Sequence, residues 1–129
     1  MPGSSNDGLN SFTKLTAWQA GHKLVIATLS MCEQLPPQNP LRNQMERAVI
    51  SITSNVAEGF GRQSKADKKH FYVMARGSAY ELQNQLLVAR DTGKITTSTF
   101  SRLAELSLDS IRLLHGLIRA LNKPGDTNS

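Results

Sequence analysis

The sequence predicts an all-α chain folded as an antiparallel up-down four-helix bundle. Three observations point there. Four stretches carry apolar residues at helical spacing. Short segments of breakers and caps separate them, and short links make consecutive helices antiparallel neighbours. Nowhere do apolar and polar residues alternate strictly over the length of a strand.

The first helix is expected to start at Thr16, with Thr16-x-x-Gln19 as a capping box. Its inward stripe reads Trp18, Val25, Leu29 and Cys32, flanked by Leu24 and Met31, which is wide enough to meet more than one neighbour. Leu35-Pro36-Pro37 stops it. Residues 1–14 are rich in Gly, Ser and Asn and read as a disordered tail. A single bundle domain is expected over 15–123, with a second tail over 124–129.

The second helix restarts with Asn39 as N-cap and Pro40 in its first turn, and runs from about 40 to 59. Leu41, Met45, Ala48, Val49, Ile52, Val56 and Phe60 supply its face. A polar stripe of Ser51, Asn55 and Glu58 lies beside it at i, i+4, i+7. Gly59 and Gly61 are expected to take positive φ and end the helix.

Ser64 suits the N-cap of the third helix, and Asp67 supplies a carboxylate variant of the capping box. This helix runs from about 65 to 91, roughly 40 Å. Its main stripe is expected to be Phe71, Met74, Ala75, Ser78, Leu82, Leu86 and Ala89. A second stripe, Val73, Tyr80 and Leu87, repeats every seven residues. It is either a subunit contact or the edge of one broad bundle-facing surface. Gly93 ends the helix. Ile95 and Phe100 then form a hydrophobic staple around an N-cap at Thr96. The fourth helix continues through Leu103, Leu106, Ile111, Leu114, Leu117 and Ile118 to about Leu121, before Lys123-Pro124-Gly125.

The chain has 129 residues, with 15 Lys plus Arg against 10 Asp plus Glu, a net charge of +5 and a pI near 9.7. That balance favours an acidic partner, nucleic acid first and an anionic membrane surface second. The plainer reading is a soluble cationic protein with no such partner. Cys32 is the one cysteine, so no internal disulfide forms. A reducing cytoplasm is expected, with the thiol packed as a small hydrophobe. No run of about 20 apolar residues suggests a membrane span, and no leader pattern opens the chain.

Catalytic signatures are missing. None of Glu33, Glu46, Glu58, Glu81 or Glu105 is followed three residues later by His, as a di-iron bundle requires. His22, His70 and His115 are scattered singly, so no metal or other cofactor is expected. Gly59-x-Gly61 lacks the further glycine of a dinucleotide loop and the Gly-Lys-Ser/Thr of a P-loop. There is no Gly-x-Ser-x-Gly elbow, and Cys32 has no local His. The reading is of a protein that is not an enzyme.

Two constellations remain. Asn55 and Glu58 are expected to face Ser78 and Glu81 across the second and third helices, near Arg47 or Arg76. Such a network fixes helix register, and Gly77-Ser78 is small enough to let two helices approach. The other is the basic run Arg62, Lys65, Lys68, Lys69, His70 and Arg76, interrupted only by Asp67. Lys65, Lys69 and Arg76 share a helix face. Cations at a helix N-terminus oppose its dipole, which hints at an external anion. Phosphates fit, with Tyr72 as a candidate stacking residue. The competing reading is a solvated charged face.

Ser54-Asn55-Val56-Ala57-Glu58-Gly59-Phe60-Gly61-Arg62, with Gly77-Ser78, Glu81-Leu82 and Trp18-Gln19, resembles the bacterial four-helix-bundle proteins of the 23S rRNA intervening-sequence family. The accessory proteins of diversity-generating retroelements are similar. The resemblance covers roughly residues 15–123 and implies a homopentamer that binds nucleic acid; in the retroelement branch it implies a reverse-transcriptase partner. The combined expectation is a non-enzymatic oligomeric bundle that binds RNA or DNA by backbone charge. Arg62, Lys65, Lys68, Lys69 and Arg76 would carry the binding. The alternative is a protein-interaction scaffold without a nucleic-acid role.

Overall fold

The computed structural model describes residues 11–122. It contains four helices, α1 (Thr16–Cys32), α2 (Pro40–Phe60), α3 (Lys65–Asp91) and α4 (Thr97–Ala120), and no strand among the described residues. Helix starts follow local chemistry. Asn39 accepts from the Leu41 amide at 2.9 Å with Pro40 in the first turn, Ser64 accepts from Asp67 N at 3.1 Å, and Thr96 accepts from Thr99 N at 3.1 Å. The α3 C-terminus closes with two backbone bonds, Lys94 N to Ala89 O at 2.8 Å and Gly93 N to Arg90 O at 3.0 Å. These bonds need a left-handed residue, and Gly93 supplies it at φ +73°.

The expected capping box of α1 does not form. Leu15 is the N-cap and contributes no side-chain bond, while Gln19 donates back to the Thr13 carbonyl at 2.9 Å. That bond ties down a 3-10 turn over Phe12–Lys14, with Phe12 edge-on to Trp18. The expected disordered tail is therefore too long at its inner end: residues 11–14 are structured against the bundle. Residues 1–10 and 123–129, with the expected Lys123-Pro124-Gly125 breaker and the tail over 124–129, lie outside the described residues.

Helix packing is cyclic: α1 on α2, α2 on α3, α3 on α4, and α4 back on α1. Every consecutive pair runs antiparallel, because partners ascend on one helix as they descend on the other. Ser51 meets Ser78 and Phe60 meets Lys68 across α2–α3. Across α3–α4, Arg76 meets His115 and Gln83 meets Ser107. Gly21 lies against Ile52 and Thr53 while Cys32 reaches Arg42, which sets α1 against α2. Leu24, Met45, Val49, Ile52, Val56, Leu82, Leu86, Leu103 and Leu114 are fully buried and form the centre. Cys32 is buried beside them, and its burial, with Glu46 adding and Arg42 opposing, pushes the thiol up to about 11.

The inward face of α3 is rotated from the one its spacing suggested. Tyr72, Ala75, Ala79, Leu82, Leu86 and Ala89 are buried, while Phe71 is half-buried and Met74 is exposed. The physical reason is steric. Alanines at 75 and 79 let α3 sit close to its neighbours, and the larger Met74 is left outside. The second stripe points away from the bundle: Val73, Tyr80 and Leu87 are all exposed, as is Leu108 on α4. The reading of that stripe as bundle-facing is thereby overturned.

Candidate nucleic-acid interface

The corner between α2 and α3 is built by close packing, not by left-handed glycines. Gly59 is helical, and Gly61 sits at φ −79°. The expected positive φ is absent at both, since Gly93 alone has it among the described residues. Gly59 is needed for another reason: a Cβ there would stand 2.7 Å from the Tyr72 ring. Gly61 would meet nothing closer than 3.6 Å.

Tyr72 fills the end of the bundle, buried with Ile118 and Leu121 of the α4 terminus. Burial raises its phenol above the ordinary value of 10.0. It therefore cannot stack on a base, and the expected role falls. The same contact brings the last turn of α4 beside the first turns of α3.

The five predicted cations divide by partner. Lys68 donates to the Phe60 carbonyl at 2.8 Å and to Gly59 O at 3.5 Å, so it closes the α2 C-terminus. It also lies over the Phe60 ring. A cation there complements the helix dipole. Arg62 pairs with Glu58 at 2.7 Å and covers the Phe71 ring. Lys65 and Lys69 have no carboxylate partner among the described residues. By helical spacing they continue the stripe of Tyr72 and Arg76 beyond the α4 end. Arg76 turns instead to α4, where it donates to His115 Nδ1 at 3.1 Å.

The polar stripe is half realised. Ser51 and Ser78 share a 2.8 Å bond between α2 and α3, and Asn55 Nδ2 donates to the Ser51 hydroxyl and carbonyl, both at 2.9 Å. Glu58 is not in this network, because Arg62 holds it at the surface. Glu81 is exposed and lines a shallow polar cleft with Gln44, Arg47 and Ser51. Gly77 faces open space, so it brings no helices together; Ser78 alone makes the crossing. The close approach that small residues permit occurs elsewhere, at Gly21 against Thr53 and at Gly59 against Tyr72.

Sequence reasoning missed His115 and Arg119. Their i, i+4 spacing on α4 carries a weak signal, but only the antiparallel register sets His115 beside Arg76 and Tyr80 in the middle turns of α3, with Arg119 one turn nearer its start. With them, one end of the bundle carries Arg62, Lys65, Lys68, Lys69, Arg76 and Arg119 against the carboxylates of Glu58 and Asp67. Among the described residues no group of three or more His, Cys, Asp or Glu side chains could hold a metal ion. No helix among them is long and apolar enough to cross a membrane.

A model of the 23S rRNA-intervening sequence protein family matches residues 13–116. The chain belongs to this family. The match spans all four helices, including the α2–α3 corner and most of α4. No curated protein matches the sequence. Among solved structures, a protein of unknown function from the S23 ribosomal protein family of Bacteroides thetaiotaomicron is similar, with a TM-score of 0.77 at 20% identity. The alignment covers 81% of this chain and 99% of that one. At that identity the likeness is one of fold alone.

Proposed function

We propose that this intervening-sequence family protein is a non-catalytic, oligomeric bundle that binds RNA or DNA through phosphate contacts at its basic end. The observation that carries the reading is the state of Lys65, Lys69 and Arg76. Two have no carboxylate partner and the third has only an imidazole, all on one stripe of α3. Lys65 and Lys69, unpaired near the N-terminus of α3, repel one another and oppose its dipole, a local penalty that an external polyanion relieves, and Arg76 extends the stripe further along the helix. The family description names a 23S rRNA intervening sequence, which makes RNA the first target to test.

Oligomerisation has separate support. Leu87 and Leu108 are exposed beside an apolar groove lined by Gln83, Phe100 and Ala104, on the α3–α4 side. Ile26 and Ile50 are exposed on α1 and α2. Apolar surface on two different faces suits head-to-tail association into a closed ring, in keeping with the homopentamer that the family resemblance implies. A ring would repeat the basic end and multiply weak phosphate contacts.

The test is binding of the purified protein to a labelled structured RNA and to a duplex DNA over a salt series, with native mass measured alongside. Binding that falls steeply with salt and is lost in the Lys65→Glu/Lys69→Glu variant supports the reading. A well-folded oligomer that binds neither at physiological salt points to the scaffold alternative.

A further inference from the structure

Beyond charge, the α3–α4 seam carries an arrangement that backbone binding does not need. Arg76 Nη1 lies 3.1 Å from His115 Nδ1, and Tyr80 Oη lies 3.5 Å from His115 Nε2. Arginine only donates, so His115 Nδ1 accepts and its proton sits on Nε2. Nε2 then faces the Tyr80 oxygen as a donor, which leaves the Tyr80 hydroxyl proton for another acceptor. The guanidinium has given one N–H to His115, and its others meet no acceptor among the described residues. Tyr80 is 49% exposed, unlike the buried Tyr72. The charged groups around His115 are Arg76 from α3 and Asp109, Arg112 and Arg119 from α4. Cations outnumber the single carboxylate.

An exposed aromatic face, held beside unspent N–H donors in a cationic setting, is the makeup of a stacking platform for an unpaired base with its phosphate. We infer that Tyr80, Arg76 and His115 form a subsite for an unpaired nucleotide, so that this protein prefers single-stranded or looped nucleic acid to a duplex. The inference rests on the nucleic-acid reading above and sharpens it. Charge decides between this occupant and a second copy of the chain. Burying Arg76 against another subunit with no carboxylate opposite is unfavourable, whereas a phosphodiester satisfies it. Apolar Leu87, two turns further along α3 at about 10 Å, is left for the subunit contact.

The experiment compares an unstructured single strand with a fully paired duplex of the same sequence, for the wild type, Tyr80→Ala and Tyr80→Phe. Native mass and thermal unfolding are recorded for each protein. The expected result is single-strand affinity about tenfold above duplex. Tyr80→Ala should lose about tenfold on the strand with duplex binding unchanged. Tyr80→Phe, which keeps the ring, should retain most of the strand affinity. Equal affinity for strand and duplex overturns the subsite and leaves the charge reading standing. So does a Tyr80→Ala variant with undiminished strand binding, or one whose native mass falls, which would place Tyr80 in the subunit contact. Absence of binding to either probe overturns both readings.

Discussion

The Tyr72 ring lies 2.7 Å from where a Cβ on Gly59 would stand. This one relationship ties the last turn of α2 to the first turns of α3, and through Ile118 and Leu121 to the end of α4. It makes glycine at 59 a packing requirement. Gly59→Ala gains helix propensity of about 1 kcal/mol, but overpacking of a filled site opposes it by about 1–3 kcal/mol. The variant is expected to lose about 1 kcal/mol net by urea denaturation. Gly77→Ala, with open space around its Cβ, is expected to gain up to about 1 kcal/mol. The same sign for both would contradict the packing account.

The Ser51–Ser78 bond at 2.8 Å, braced by Asn55, crosses between α2 and α3. A double-mutant cycle with Ser51→Ala and Ser78→Ala should return a coupling of about 1 kcal/mol. Zero coupling would mean that the network does not contribute to holding the two helices in register.

Lys68 and its basic neighbours should separate by what they stabilise. Lys68→Ala removes a cation from the α2 C-terminus and is expected to destabilise by about 0.5–1 kcal/mol. Lys65→Ala and Lys69→Ala should stay within about 0.5 kcal/mol of the wild type. Thermal unfolding of the three single variants checks this, and equal losses would contradict the assignment.

Alkaline pH should weaken the fold through Cys32. Its thiol is pushed up to about 11 from an ordinary 9.0, mainly by burial, so the folded state holds the proton more tightly than the unfolded chain. That contribution is complete below pH 9.0 and is lost as pH rises through about 11. The Tyr72 phenol, also raised by burial, adds a loss of the same sign above its ordinary 10.0. Thermal unfolding across this range should fall less steeply in Cys32→Ala than in the wild type. Parallel curves would contradict it.

Helix boundaries were legible in the sequence because they are set locally. Asn39, Ser64, Thr96 and Gly93 each act on backbone groups within a few residues. Most core positions followed from periodicity for the same reason. What could not be read were contacts set by register between helices. The choice of Tyr72 over Phe71 as the inward aromatic depends on Gly59 across the corner. The Arg76–His115 bond joins residues 39 apart. The basic run looked uniform in sequence, yet Arg62 and Lys68 are engaged by Glu58 and the α2 carbonyls. Only the fold shows that Lys65 and Lys69 are the uncommitted pair.

That pair gives the most direct test. The affinity of the oligomer for a labelled RNA, measured over a salt series for the wild type and the Lys65→Glu/Lys69→Glu variant, reads phosphate contacts without disturbing the Lys68 cap. The account predicts a shallower salt slope and loss of at least about tenfold in affinity, with native mass unchanged and thermal stability unchanged or slightly raised. An unchanged affinity and slope in a folded variant of native mass would contradict it.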